Sequence, residues 1–137
     1  MQNRSNGKTG ETMAEYFFKK IGWKMFRHQP RTVIARSNGK PFTIQCRSDG
    51  VADFTGFENI MIGQQMIPIY RACEIKEAHG DTMPASRVRK EQRDWLIMTP
   101  FMCAYIAICW LDGQPKIELF RPIEKGSYKK GEGLILK

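Results

Sequence analysis

Residues 69–80 read IYRACEIKEAHG, and within this one strand-length run the chain passes from apolar to charged. Successive side chains on a β-strand point to opposite faces, so Glu74 and Lys76 share one face while Ile75 turns to the other. The apolar part predicts a strand near the centre of a sheet. A carboxylate and an amine side by side at its end predict a site for chemistry. The simpler alternative is an ion pair between same-face neighbours. Glu-x-Lys alone occurs often by chance, but charged groups at the end of a buried strand cost free energy unless they serve a partner.

Upstream, VADFTGFENIMIGQQM (51–66) reads as a strand ending near Phe57, then a turn, with the motif strand itself running from about Ile67 to Ile75. Asp53 follows the apolar step Val51-Ala52, whereas the competing Asp49 precedes Gly50 and reads as a turn residue. TGETMAEYFFKKIGW (9–23) places Met13, Ala14, Phe17, Phe18 and Ile21 on one helical stripe, with Gly22 positioned to stop the helix. RTVIARSNGKPFTIQCRSDG (31–50) carries β-branched runs around Ser37-Asn38-Gly39-Lys40, a hairpin signal.

Downstream, SRVRKEQRDWLIMTP (86–100) predicts a second helix, with Ser86 as N-cap, Val88, Trp95 and Leu96 on one side, and four cations on its early turns. FMCAYIAICWLDGQPKIELFRP (101–122) reads as strand, turn at Asp112-Gly113, strand; the tail 123–137 fits no element. The order predicts a single α/β domain over 1–137, with a mixed central sheet flanked by helices and a polar basic arm at 1–8. The site is expected where the motif strand diverges from its neighbour.

A net charge of +8 and 42% hydrophobic residues in 137 fit one domain with a polyanionic partner, although many small basic proteins bind nothing anionic. Cys46, Cys73, Cys103 and Cys109 form no C-x-x-C pair, and Cys103 and Cys109 lie too far apart along one strand to bond, so reduced thiols in a reducing cytoplasm are expected. No run approaches the ~20 apolar residues of a membrane span, and the first residues lack a signal core.

Cutting a phosphodiester requires charge stabilisation on the phosphoryl oxygens and an activated water. Mg²⁺, with Mn²⁺ able to substitute, takes oxygen ligands and keeps several waters, so Asp53, Glu74 and the backbone carbonyl of Ile75 supply a sufficient set. Lys76 would orient or deprotonate the attacking water, or stabilise developing charge. Glu11, in the first turn of helix one, is the candidate outer metal contact, with Glu15 one turn on as its competitor. Gln92 has a plain alternative as a surface helix residue, and Arg87, Arg89, Lys90 and Arg93 read equally as a solvated face or as phosphate contacts.

The ordered set Glu11, Asp53, Glu74-x-Lys76 and Gln92 resembles the PD-(D/E)XK nuclease superfamily over about residues 6–108. Within it, NGKTGE, ADFTGF, EIKEA and TMPASRVRKEQRDWL look most like the RecU-type Holliday junction resolvases. That resemblance implies a Mg²⁺-dependent, homodimeric endonuclease making paired nicks in branched, four-way DNA. In it Asp53 and Glu74 would be metal ligands, Lys76 the catalytic lysine, Glu11 the helix-one acid and Gln92 the helix-two glutamine. The family's stalk-like insertion is not recognisable beyond RTVIARSNGKPFTIQCRSDG. EQRDWL is also similar to the VRR-NUC group, which acts on flaps and other branched DNA; a basic binding module without cleavage is the reading from another class. A two-fold enzyme would present two sites to a junction, and Phe17, Phe18, Trp23 and the strand near Leu119 are the candidate dimer surface.

Overall fold

The structure is a computed structural model describing residues 8–28, 31–46, 52–99 and 103–134, with side chains of 8, 31–35 and 43–46 outside the description. The basic arm, Asp49 and the side chain of Cys46 therefore lie outside the described residues. Helix α1 (Lys8–Ile21) ends at Gly22, whose φ of 83° is the left-handed conformation that glycine adopts without a Cβ penalty. The chain then enters β1 (Trp23–Arg27), a separate two-stranded ribbon β2 (Arg31–Ser37) and β3 (Lys40–Cys46), and returns as β4 (Phe54–Ile62). The ribbon turns at Asn38-Gly39, both at positive φ, as the sequence predicts.

β5 (Gln65–Ala78) follows, then a short β6 (Thr82–Pro84), a single 3-10 turn at Ala85–Arg87, α2 (Lys90–Met98), β7 (Ala104–Trp110), β8 (Lys116–Phe120) and β9 (Ser127–Lys129). The main sheet has the order β1-β4-β5-β7-β8, antiparallel throughout except for the parallel β5–β7 pair, whose crossover contains α2. This is a mixed α/β sheet with the motif strand at its centre. One face, carrying Cys73, Ile75, Tyr105, Ala107 and Leu119, packs on Ala14 and Phe18 of α1; the other, carrying Ala72, Ala78, Ile106, Ile108 and Trp110, packs on Val88 and Leu96.

Several expectations are corrected. β4 does not end near Phe57 but continues to Ile62, and β5 begins at Gln65, so the two project as a long hairpin turning at Gly63. The alternation hides this because both faces of the projecting part are apolar. Ser86 is not the helix N-cap: it lies inside the 3-10 turn, whose end is closed by Val88 N–H donating to the Ala85 carbonyl at 3.1 Å. Burial of Val88 holds that residue extended, so the helix restarts with Arg89 as N-cap. Only Lys90 and Arg93 of the four cations thus ride on α2. Phe18, Trp23 and Leu119 are core residues, with the Phe18 ring 5.9 Å from Trp23 and 5.4 Å from Phe54, so they offer no dimer surface; Phe17 is half-buried beside them. The tail is placed by β9 pairing with β6.

Candidate active site

β5 holds the site by the direction of its backbone as much as by its side chains. Ala72 N–H donates to Cys103 O at 2.8 Å and Leu111 N–H to Ala78 O at 2.9 Å, so the backbone groups of its even-numbered residues face β7. Those of Cys73, Ile75 and Glu77 consequently face β4. The β4 ladder ends at the Phe54–Cys73 pair, leaving that edge without a strand beyond it among the described residues. Asp53, one residue before β4, occupies the gap: its Oδ2 accepts from Ile75 N–H at 2.9 Å, and its carbonyl accepts from His28 N–H at 2.7 Å, continuing the β1–β4 ladder. The Ile75 carbonyl opens on the same edge as Asp53. The structure thus brings Asp53, Glu74 and Ile75 together at the point of strand divergence.

Glu74 is 2% exposed. Its Oε1 accepts from Gln92 Nε2 at 2.5 Å and lies 3.9 Å from Lys76 Nζ, confirming that the two charged side chains share a face. Its Oε2 is buried and takes no donor among the described residues, while the Asp53 carboxylate lies within hydrogen-bonding reach of the Glu74 carboxyl. Burial, reinforced by the neighbouring Asp53 carboxylate and only partly opposed by Lys76, pushes the Glu74 carboxyl up to about 8. Burial likewise holds the Lys76 ammonium below its ordinary range, against the pull of Glu74 and Asp53 and with the help of Arg87 and Arg89. The strand end therefore carries an acid and a base whose charged forms are both penalised by the surroundings.

Gln92 is a buried connector rather than a surface helix residue: its Oε1 accepts from Arg89 N–H at 3.2 Å, tying Glu74 to the first turn of α2. Glu11 lies close enough to Asp53 and Glu77 to feel their charges; burial raises its pKa, Arg27 lowers it, and those carboxylates raise it further. Arg27 bridges both helix-one acids, Nη1 to Glu11 at 3.3 Å and Nη2 to Glu15 at 2.7 Å, with its guanidinium 5.6 Å from the centre of the Phe54 ring. Glu15 takes the closer contact and is the more exposed, so Glu11 is the acid turned toward the site.

Two partners escape sequence reasoning. Arg27, in a strand of mixed pattern, gives no local signal of its clamp on α1. Glu77 points to the α1 face, where its Oε2 accepts from Gly10 N–H at 2.9 Å; a Cβ on Gly10 would sit 2.8 Å from Glu77 Cγ. A glycine in a helical first turn was the available signal of that close approach. The Glu77 carbonyl, on the open strand edge, accepts from Arg87 Nη1 at 2.6 Å. Arg87 thus stabilises the bare edge, Arg89 and Lys90 are exposed, and Arg93 is half-buried with its Nε 4.0 Å from Asp94.

Comparison of the chain with protein-family models, curated sequences and solved structures finds no match. Function has to be argued from the site itself. Among the described residues no three His, Cys, Asp or Glu side chains form a metal-holding cluster. Two carboxylates and a backbone carbonyl nonetheless fit Mg²⁺, which takes one or two protein carboxylates and keeps waters. The buried Oε2 of Glu74, with no donor among the described residues, is the feature that a cation would satisfy. Cys73 and Cys109 are free thiols buried in the α1-side core, where burial pushes Cys109 up to about 12 and Cys73 upward as well, so they remain protonated and apart from the site. No helix among the described residues is long and apolar enough to cross a membrane.

Proposed function

We propose that this chain is a Mg²⁺-dependent DNA endonuclease of the PD-(D/E)XK type that resolves four-way junctions by paired nicks. The observation that carries this reading is the buried Glu74 carboxylate, one oxygen held by Gln92 and the other without a donor among the described residues, crowded by Asp53 and beside an amine whose charge is penalised. Asp53, Glu74 and the Ile75 carbonyl would hold the ion, and Glu11 would contact its outer waters. When bound, the ion neutralises charge on the phosphoryl oxygens. Lys76 Nζ, its proton affinity lowered by burial and by Arg87 and Arg89, takes a proton from the attacking water as the new P–O bond forms and the bridging P–O bond breaks. Gln92 fixes the orientation of Glu74, and Arg89 and Lys90 are exposed to track phosphates.

The resemblance to PD-(D/E)XK nucleases implies a core of helix, three-stranded meander, helix and strand, and the order α1, β1-β4-β5 meander, α2, parallel β7 supports it. Substrate selectivity is supported by the β2–β3 ribbon, inserted between β1 and β4 at the end of the sheet where Asp53 lies and carrying exposed Arg36 and Lys40 beside its turn. At ~3.3 Å per residue, its seven-residue strands span roughly 23 Å, the scale of a DNA duplex arm. The test is a cleavage panel of four-way junction, flap, single-stranded and linear duplex DNA in Mg²⁺, with Glu74→Gln as control. Symmetric nicking of the junction alone is expected. Equal cutting of flaps would replace this reading with the VRR-NUC-like one, and tight binding of DNA without any cutting would leave a basic binding module.

A further inference from the structure

The two faces of the sheet are covered unequally. On the face that carries Glu74 and Lys76, α2 and its flanking turn pack over β5, β7 and β8, while the half formed by β1, β4 and the first part of β5 carries exposed apolar side chains. Alternation places Tyr70 and Pro68 of β5 on that face, opposite Phe57 and Asn59 of β4 in register, and these four, with the Gly56 backbone, line a shallow depression of about 580 Å³. Phe26 of β1 lies diagonally beside Phe57; it is 66% exposed and Tyr70 is 43% exposed. Rings left standing in water around a depression mark a place where something docks.

We infer that this platform holds unpaired nucleobases of a single DNA strand, stacked on Phe26, Phe57 and Tyr70. Charge names the occupant. Lys24 is the partner of Phe57 in register and stands on the same face, while no residue from 59 to 70 is charged and Glu58 turns to the opposite face, where its Oε1 accepts from Arg71 Nη2 at 2.7 Å. Aromatic rings beside a cation, with no carboxylate among them, suit a strand whose bases are apolar on their flat sides and whose backbone is anionic. Asn59 adds an amide donor and acceptor at the rim, within the same depression, for the edge of a base. A closed duplex does not fit, because its bases cover one another; only an unpaired base has a flat side free to lie on a ring.

The platform adjoins the site. Phe57 stands four residues beyond Asp53, about 13 Å along an extended chain at ~3.3 Å per residue. The face between them is polar, with exposed His28 Nε2 2.7 Å from Thr55 Oγ1. A strand cut beside Asp53 can therefore continue over the rings within a few nucleotides. That the strand is DNA rests on the nuclease reading; that the face stacks bases does not. The consequence for that reading is that the arm of the substrate nearest the cut is opened, not held as closed duplex.

The test is fluorescence anisotropy in chelator with a labelled oligothymidylate of about 15 nucleotides, set against an abasic strand of the same length that offers phosphates but no bases. The wild-type chain is expected to bind the thymidylate at least roughly 10-fold more tightly, the scale of stacking one base on an aromatic side chain. Phe57→Ala and Tyr70→Ala should each remove most of that preference and leave binding of the abasic strand unchanged, which a general loss of folding would not do. Tyr16→Ala, on the exposed side of α1, should change neither. Photo-crosslinking of a strand containing 5-iododeoxyuridine to the wild-type chain should fall on Phe26, Phe57 or Tyr70, a readout that depends on no variant. Equal affinity for the two strands, a preference that survives both substitutions, or crosslinks confined to other residues overturns the inference. Tighter binding of an RNA strand of the same length overturns the assignment to DNA. Nothing is cleaved in chelator, so failure here leaves the nuclease reading standing, and failure of the cleavage panel leaves the platform standing.

Discussion

Replacing Glu74 by glutamine should stabilise the metal-free protein above neutral pH while removing its response to Mg²⁺. The carboxyl is pushed from its ordinary 4.5 up to about 8 in the folded chain. Below pH 4.5 both folded and unfolded chains hold the proton, and Glu74 imposes no penalty. Between 4.5 and about 8 the unfolded chain gives up the proton and the folded chain keeps it, so stability falls by up to about 1.4 kcal/mol per pH unit. Above that window the loss is complete and on the order of 4 to 5 kcal/mol. Glutamine keeps the shape of the neutral acid, an oxygen for Gln92 Nε2 and a donor toward Asp53, yet has nothing to ionise. Urea unfolding followed by tryptophan fluorescence from pH 5 to 9 in a chelator should show the two proteins nearly equal at pH 5 and the variant several kcal/mol more stable at pH 8. Saturating Mg²⁺ should then stabilise the wild type by binding the folded state alone, and leave the variant unmoved. Parallel stability curves for the two proteins would refute the reasoning, because Glu74 would then be ionised at neutral pH and satisfied by Lys76 alone.

Gln92→Leu removes both the donor on Glu74 and the acceptor for Arg89 N–H, and should cost about 2 kcal/mol in thermal or urea unfolding together with weakened Mg²⁺ binding by calorimetry. Gly56→Ala would put a Cβ 1.9 Å from the Lys24 carbonyl and 2.8 Å from Met25 Cα, both backbone atoms of β1, so about 3 kcal/mol of stability should be lost and hydrogen exchange should show β1 released first. Glu118→Gln should lower stability by about 1 to 3 kcal/mol at neutral pH, the opposite sign to Glu74→Gln, because an amide cannot accept with both of its polar atoms from the Gly131 and Gly133 N–H groups.

The elements whose cause is local were legible in the sequence. The α1 stripe stopped by Gly22, the Asn38-Gly39 hairpin and the same-face placement of Glu74 and Lys76 each follow from periodicity or turn chemistry within a few residues. What was not legible depends on distant partners. The restart of α2 after Val88 follows from where the core draws that side chain. The orientation of Gln92 is fixed by a residue 18 positions away, and the capping of α1 by Glu77 spans 67 positions. Phe18, Trp23 and Leu119 looked surplus to a small core because the sequence does not show that a single long helix must fill one whole face of a five-stranded sheet. The apolar surplus exists, but on the other face, at Phe26, Met61, Met66 and Tyr70.

The chain contains its own comparison for the alternative that Glu74 and Lys76 are only a strand-end ion pair. Glu118 on β8 is also buried and also has a lysine two residues away on the same face, Lys116, at 3.8 Å against 3.9 Å for Lys76 and Glu74. The local arrangement is the same in both places. At Glu118 each oxygen accepts a backbone N–H, from Gly131 at 2.8 Å and from Gly133 at 3.1 Å, and the lysine reaches half into solvent; the carboxylate binds the tail to the sheet and is fully satisfied. At Glu74 the lysine is largely buried, a second carboxylate sits close enough to raise the acid further, and one oxygen has no donor among the described residues. A glutamate kept for stability alone is built like Glu118. One that is buried, crowded by Asp53 and half unsatisfied is costly to the isolated chain, and a divalent cation shared with Asp53 relieves all three penalties at once.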